Sequence, residues 1–496
     1  MGDGGLMDPR LSLGPGLLSV AGERVLEALD GIRPVVYLGA GLGERAAPAA
    51  VTLAAILVRL FPHVTIEGDA RLGPNPWGKD TVQAAVEYLA RAGPTATRSP
   101  DRDVPIGVGA PAHDVVLGMG GNDWTAYLGP GPQPVAGEST GLGLQAAAAL
   151  LAAEIAKQVL GPLGLPRCPL VGSLAWNLLD YRLAPAPATG SLTAAPLRLA
   201  LFGAGSVGSS VACVLACMPE LAGTIDIVDG DTFDPHKNSY RYPAATGAES
   251  GPKAAWLGGM LGRMGWQART FDGFVAEWVA AQPDPGFDGI AISSVDGVAG
   301  RLQVADVLAR TTLSTGVSGL ALHLQRESLG DGFACPYCDF VDVTPPLGQA
   351  QAWAQQSGLS VERVTELLIG EGRLRAEDVQ AAVRAGRLRP ERVPSLIGRR
   401  LVDLIGRVYA EAVVNVGGKA PAVVSAPYVS WMGGVLAVAE IAKAAYGLPL
   451  INRRFDLDMS GLPGGFTLRR SADTSGRCAC VSPVRRRWMR RLYAEE

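Results

Sequence analysis

Histidine is scarce in this chain: there are four in 496 residues, and no two stand at metal-ligand spacing. No GxSxG, HExxH or P-loop lysine motif occurs, so hydrolase and P-loop kinase chemistry have no support in the sequence. Charge is sparse as well, at 18% of residues with a net of −3, which leaves no global basic field to attract nucleic acid. The one sharp basic run, Arg485-Arg486-Arg487 with Arg490-Arg491, reads first as the solvated face of a terminal helix and second as a patch for an acidic partner. The opening MGDGGLMDPRLSLGPG lacks the charged-then-apolar order of a signal peptide. Two long apolar stretches, 141–161 and 428–447, each carry a Glu and a Lys three residues apart. Such groups are costly in lipid and easily housed in a protein core, so both stretches are expected to be buried helices of a cytoplasmic protein. The seven cysteines are not spread as a secreted disulfide framework, because four of them lie as CPYC and CAC.

What the chain does have is length for several domains and a Gly- and Ala-rich composition suited to a compact α/β enzyme. The α/β pattern is written twice. VVYLGAGLG (35–43) and LALFGAGSVG (199–208) each place a glycine-rich turn after an apolar strand and before a helical pattern. A strand ending in acid follows each, VTIEGD (64–69) and IDIVDGD (225–231); then come HDVVLGMGG and GIAISSV, and an AEIAK helix closes each half at 153–157 and 439–443. Four landmarks in one order predict two Rossmann-like doubly wound domains. The expected boundaries are 1–165 for the first domain, 166–198 for a Pro/Ala/Gly-rich linker, and 199–344 with 421–496 for the second. A small helical insertion occupies 345–420, with Ser360 a candidate N-cap and Gly386 a candidate C-terminal stop.

Gly203, Gly205 and Gly208 form GxGxxG between strand and helix, the pattern that seats phosphate on a helix N-terminus. Asp229 ends the next strand about twenty residues on, where a carboxylate can accept from ribose hydroxyls. The residues after it, DGDTFDPHKNSYRYPAATGAESGPKAAW, bring Asn238, Arg241 and Lys253 close behind the ribose strand. Asp296 ends the strand AISSVD, a position suited to Mg²⁺ beside phosphates; Arg301 follows without a clear role, and His236 reads first as a loop residue and second as a phosphate donor. Activating a carboxylate on ATP needs charge neutralised at the α-phosphorus and on the departing pyrophosphate; fixed cations and a metal supply that. Cys335-Pro-Tyr-Cys338 has metal-ligand spacing. Cys213 and Cys217 read as core packing, and Cys168 has no clear role.

The ordered set GAGSVG, VDGD, NSYR, GPK and SSVDGVAGR resembles the ThiF/MoeB adenylating superfamily, which includes the ubiquitin-activating (E1-like) enzymes. The resemblance covers about 199–340 and 421–480. It implies that Asp229 or Asp231 holds the ribose, that Asn238, Arg241 and Lys253 bind the ATP phosphates, and that Asp296 holds Mg²⁺. It also implies a structural Zn²⁺ held by Cys335 and Cys338 with Cys478 and Cys480, against four free thiols as the alternative. In the first half GAGLGE puts Glu44 where the third glycine stands, no NxxR follows, and HDVVLGMGGND ends in glycines where the second half has Asp296. That is similar to the fused inactive and active halves of ubiquitin-activating enzymes, in which the inactive partner lends an arginine; Arg10 is the first candidate and Arg182 the second.

One departure is plain. No cysteine occurs between Cys338 and Cys478, so the insertion is not the thioester-forming half-domain of many relatives. The expected activity is ATP- and Mg²⁺-dependent adenylation of the C-terminal carboxylate of a ubiquitin-like protein or a peptide, with an E2-like or other acyl acceptor as a further partner. The alternatives are a peptide-modifying adenylase of the antibiotic-biosynthesis kind, an NAD-dependent oxidoreductase, and a nucleotide-binding scaffold without turnover.

Overall fold

The computed structural model describes residues 10, 22–40, 42–136, 141–163, 172–189, 193–234, 238, 240, 242, 244–246, 248–295, 298–328, 334–335, 338, 350, 353–354, 357–369, 373–385, 387–388, 390, 393–399, 401, 404, 426–451, 454–461, 463, 466–468, 472–473, 476 and 478–493. The chain divides into two compact units, Val25–Cys338 with Ser425–Glu496, and Met1–Arg24 with Asp339–Val424.

The first half runs α1 (Gly22–Asp30), β1 (Ile32–Leu38), α2 (Ala47–Leu60), β2 (Thr65–Glu67), α3 (Val82–Ala90), β3 (Arg102–Val108), β4 (Leu117–Gly121), β5 (Thr125–Gly129), α4 (Leu142–Leu160) and β6 (Leu174–Asn177). The second half opens with β7 (Leu197–Phe202), α5 (Ser206–Ala216), β8 (Gly223–Val228), α6 (Lys253–Arg263), β9 (Gln267–Phe271), α7 (Val275–Ala280), β10 (Phe287–Ser293), α8 (Val298–Val304), β11 (Ala309–Ser318) and β12 (Ala321–Ser328). The smaller unit then contributes α9 (Val361–Ile369), α10 (Ala376–Arg384) and α11 (Val393–Leu396), and the second half resumes as α12 (Pro427–Ala445), β13 (Arg454–Asp458), β14 (Phe466–Leu468) and α13 (Pro483–Leu492).

Two sheets form, ordered β2-β1-β3-β4-β5-β6 and β14-β13-β12-β11-β10-β7-β8-β9. In the first, β2, β1, β3 and β4 are parallel and β5 and β6 antiparallel; in the second, β9, β8, β7, β10 and β11 are parallel and the rest antiparallel. The common order is therefore an α/β, Rossmann-like sheet made twice, with β9 and β14 added in the second copy. β6 falls in the stretch whose composition reads as linker, yet it pairs with β5 from Leu174–Leu128 to Asn177–Thr125 and completes the first sheet.

One sequence equivalence needs correcting. The strands beside the glycine-turn strand are β3 and β10, registered Leu38 to Val108 and Phe202 to Ser293. The counterpart of GIAISSV is thus RDVPIGV, not HDVVLGMGG, because sheet neighbourhood decides equivalence and β9 offsets the count along the chain. Counting three residues past the paired strand end, as from Ser293 to Asp296, gives Pro111 in the first half. The first half still has no acid there.

The two apolar stretches are core helices. Among the described residues one helix, Leu142–Leu163, is long and apolar enough to cross a membrane, and 78% of its apolar window is buried inside the protein. The AEIAK repeats explain how a charged pair survives there: Glu154 pairs with Lys157 and Glu440 with Lys443 one helical turn apart, all four buried. Each lysine also crosses to the other half. Lys157 Nζ donates to Gly461 O at 3.1 Å, and Lys443 Nζ donates to Leu179 O at 3.1 Å. Glu440 accepts from Tyr181 Oη at 2.6 Å and from the Ile451 amide at 2.7 Å, which holds Tyr181 in a left-handed conformation (φ +62°) that a bulky residue otherwise avoids. Burial and the adjoining Glu440 carboxylate hold the Tyr181 hydroxyl well above the ordinary phenol range.

In the smaller unit Ser360 does cap α9, its Oγ accepting from the Arg363 amide at 3.2 Å; Gly386 lies outside the described residues. The Arg363 guanidinium grips Asp378 through two 2.9 Å bonds, bracing α9 against α10 over an apolar core that includes Val364, Val379 and Leu404.

Candidate nucleotide site and cysteine cluster

The glycine turn between β7 and α5 is built as the sequence requires. Gly203 sits at φ +94°, its amide bonds Val228 O at 2.9 Å, and Ser294 Oγ donates to Gly203 O at 2.8 Å. A Cβ on Gly208 would stand 2.0 Å from Gly203 O, so only glycine allows the helix to approach the turn. At Gly205 a Cβ would meet nothing within 4 Å; the middle glycine faces open space in front of α5. Helix α5 starts at Ser206, three residues after Gly203, which aims first-turn amides without intrahelical acceptors at that space. In the first half α2 starts only at Ala47, eight residues after Gly39, and Glu44 lies exposed in the longer turn. The helix that follows that turn starts five residues later than its counterpart in the second half.

Asp229, just past β8, turns its carboxylate onto the turn: Oδ2 accepts from the Ala204 amide at 2.6 Å and Oδ1 from the Asp231 amide at 2.8 Å. Burial raises its pKa above the ordinary carboxylate value, and those two amides oppose the rise. The chain then leaves and returns as a loop closed at its base, with Phe233 N to Gly251 O at 2.7 Å and Lys253 N to Asp231 O at 3.0 Å. This closure places Lys253 on the first turn of α6, its Nζ 2.7 Å from Asp231 Oδ2. Lys253 is buried while Asp231 stays exposed, so the lysine is available from the solvent side only through its partner.

Within the loop, Asn238 Oδ1 accepts from the Asp234 amide at 2.7 Å, and Tyr242 Oη donates to Ala204 O at 2.8 Å, fastening the loop to the glycine turn. Tyr242 packs with Phe233, Trp256 and Ala245. Arg241, His236 and Asp296 lie outside the described residues. The approach to Asp296 is described: Ser293 pairs with Phe202, and Arg301 Nε donates to Val295 O at 3.1 Å. Arg301, without a role in the sequence reading, thus ties α8 to the residue just before Asp296. Sequence reasoning also missed Phe274. It is 62% exposed, and its ring would lie 3.1 Å from a Cβ on Gly230, the residue between Asp229 and Asp231. An exposed phenylalanine 45 residues past Asp229 is not a sequence pattern; only the adjacency of β8 and β9 makes it one.

Arg182 is exposed, 3.5 Å from Asp180, and Arg10 is a buried residue of the smaller unit.

All four expected zinc ligands come together. Cys335 Sγ lies 3.8 Å from Cys338 Sγ and 3.4 Å from Cys478 Sγ, and Cys338 Sγ lies 3.5 Å from Cys480 Sγ, with all four sulfurs within 4.8 Å. A tetrahedral site with Zn–S near 2.3 Å sets sulfurs about 3.8 Å apart. Backbone bonds shape the knuckle: Gln325 Nε2 donates to Cys335 O at 2.9 Å, and the Cys478 amide donates to Asp473 Oδ2 at 2.8 Å. Cys213 is buried on α5 and Cys217 is buried just past its end, and Cys168 lies outside the described residues.

A further ionisable group lies outside this site. Glu220, in the turn after α5, has both carboxylate oxygens buried without a hydrogen-bond partner among the described residues. Burial lifts its pKa from 4.5 to about 7; Arg45 opposes the rise and Asp123 adds to it. Because the folded pKa exceeds the unfolded one, stability is full below about pH 4.5 and falls as pH rises through 7. Glu220→Gln should therefore melt above wild type at pH 8, by a margin on the order of 3 kcal/mol, and alongside it at pH 4.5. Equal melting curves at pH 8 would contradict this.

No protein-family model matches this chain, and no curated protein does. Comparison with solved structures finds Escherichia coli MccB with MccA-N7isoAsn, at 14% identity and TM-score 0.36, over 58% of this chain and 67% of that one. E. coli MccB with ATP is similar at 11% identity and TM-score 0.34, over 57% and 65%. The microcin C7 biosynthetic enzyme MccB with N-formylated MccA is similar at 10% identity and TM-score 0.35, over 58% and 67%.

Proposed function

We propose that the second half is an ATP-dependent adenylating site of the E1-like kind, acting on the C-terminal carboxylate of a ubiquitin-like protein or a peptide. The observation that carries this reading is the convergence on one open turn. A helix N-terminus clear of side chains at Gly205, the half-buried acid Asp229 and the cation Lys253 all stand around the same loop base. A dinucleotide oxidoreductase shares the turn, but it has no use for a lysine delivered to the ribose strand.

In this reading Asp229 accepts from the ribose and Phe274 offers a platform for the adenine, since the base lies toward the strands outside the turn. Lys253 exchanges Asp231 for phosphate oxygens, with Asn238 and Arg241 on the same loop. Mg²⁺, when bound at Asp296, supplies further charge neutralisation on the phosphates. A substrate carboxylate oxygen attacks the α-phosphorus, the bond to the bridging oxygen breaks, and pyrophosphate leaves with its electron pair. The products are acyl-AMP and pyrophosphate. Cys335, Cys338, Cys478 and Cys480 would hold a Zn²⁺ whose part is structural rather than chemical.

The test is ATP–pyrophosphate exchange driven by ubiquitin-like tails and by peptides, beside NAD reduction assays. Exchange with a free C-terminus, lost on amidation, supports the reading; hydride transfer without exchange refutes it. Because 339–477 holds no cysteine, the acyl-adenylate should wait for an external thiol or amine acceptor, E2-like or otherwise. Mass spectrometry without acceptor should find acyl-AMP bound non-covalently and no adduct on the chain. A thiol-sensitive adduct that disappears in Cys168→Ser would overturn direct transfer.

A further inference from the structure

Arg59 lies on the last turn of α2, in the first half, and it is wholly buried. Its guanidinium does not stay in that half. Nη1 donates to Leu89 O at 3.1 Å, the penultimate residue of α3, while Nη2 donates to Tyr242 O at 3.4 Å and to Ala245 O. Those two carbonyls belong to the loop that carries Asn238 and Arg241. Burial lowers the Arg59 pKa to about 10, with Glu249 opposing, so the side chain remains a cation at neutral pH. A buried cation is a poor stabiliser compared with an apolar side chain of the same volume, so its persistence calls for a task that needs the donors. A rigid fork that bonds carbonyls on two separate segments is a task lysine cannot copy.

We infer that Arg59 is a positioning residue through which the first half holds the nucleotide-binding loop of the second half. The inference rests on the nucleotide reading above and deepens it. The path is continuous: Arg59 holds Tyr242 O and Ala245 O, and Tyr242 Oη holds Ala204 O inside the glycine turn. Tyr242 is further wedged by Phe233 and Trp256, with ring centroids 5.5 and 5.8 Å away, so fixing its carbonyl fixes the aromatic plug under the loop. Beyond Ala245 the loop is closed by Glu249, which accepts from the Thr246 amide at 2.8 Å. Through Arg59 the first half thereby acts on ATP at one remove. It preorganises the loop, and its loss should be felt in ground-state binding of the phosphates rather than in the chemical step.

The experiment uses the full chain with Arg59→Met and Arg59→Lys. Three quantities are measured: the ATP KM and kcat in pyrophosphate exchange, ATP affinity by calorimetry, and amide hydrogen exchange across 242–249. For Arg59→Met we expect ATP KM and Kd to rise on the order of 10- to 100-fold, with kcat at saturating ATP changed by less than about threefold. Amides of the 242–249 segment should exchange faster than in wild type while the core of α12 stays protected. Arg59→Lys should fall between, keeping the charge but not the fork. If Arg59→Met only lowers the melting temperature, with ATP KM and loop protection unchanged, the residue is a structural filler and the inference fails. If wild type drives no exchange with any carboxylate, the adenylation reading falls by itself. Loop protection and ATP affinity in the variants then decide the role of Arg59, and wild-type values for both overturn it.

Discussion

Lys253→Met and Asp296→Ala should each cut ATP–pyrophosphate exchange about 10²–10³-fold, the usual cost of removing one electrostatic contact to a transition state. The two should arrive there differently. Lys253 Nζ pairs with Asp231, whose side chain is 64% exposed, so methionine strands no buried charge and the melting curve should be unchanged. Asp231→Asn then separates two roles for that acid. If Asp231 only parks the lysine, exchange survives and ATP KM falls; if it holds the ribose, ATP KM rises. Asp296→Ala should also flatten the dependence of rate on Mg²⁺ concentration, which Lys253→Met should not. Exchange at wild-type level in either variant removes that residue from the site.

Cys335→Ser should have the largest effect on the folded state. Protein purified without chelator should carry one zinc per chain, and the variant should carry none and melt well below wild type. The geometry explains why the loss is felt widely: the sulfurs join two segments 143 residues apart in sequence, at Cys335 and Cys478. Four thiols this close cannot all ionise without a cation between them, so the metal-free cluster must keep protons that zinc would displace. Metal uptake should therefore release protons and weaken as pH falls. Zinc-free wild type with an unchanged melting curve would leave four packed thiols as the correct description.

The parts of the fold legible in the sequence are those fixed by local chemistry. GAGSVG demands a turn with glycine at φ > 0 and a close helix, and Gly203 and Gly208 show both constraints. Cysteine spacing is equally local, and the two pairs meet. What was illegible depends on neighbours distant in sequence. RDVPIGV and GIAISSV share no glycine pattern, and only their common place beside the turn strand makes them equivalent. Composition read 166–198 as linker because β6 has only four residues, LAWN, too few to show a period. Arg59 looks like any basic residue in the last turn of a helix, and nothing local announces that it is buried. The same holds for Phe274, whose exposure matters only because Gly230 lies beneath it.

The reciprocal lysines have a consequence for how this chain can change. Lys157 serves a carbonyl of the second half and Lys443 a carbonyl of the first, so neither repeat belongs to the half that encodes it. A drift in either AEIAK is a fault in both halves at once, whereas a drift in a glycine turn harms only its own. The two halves show that unequal constraint: the first turn carries Glu44 and a later helix start, while the five letters AEIAK are identical in both.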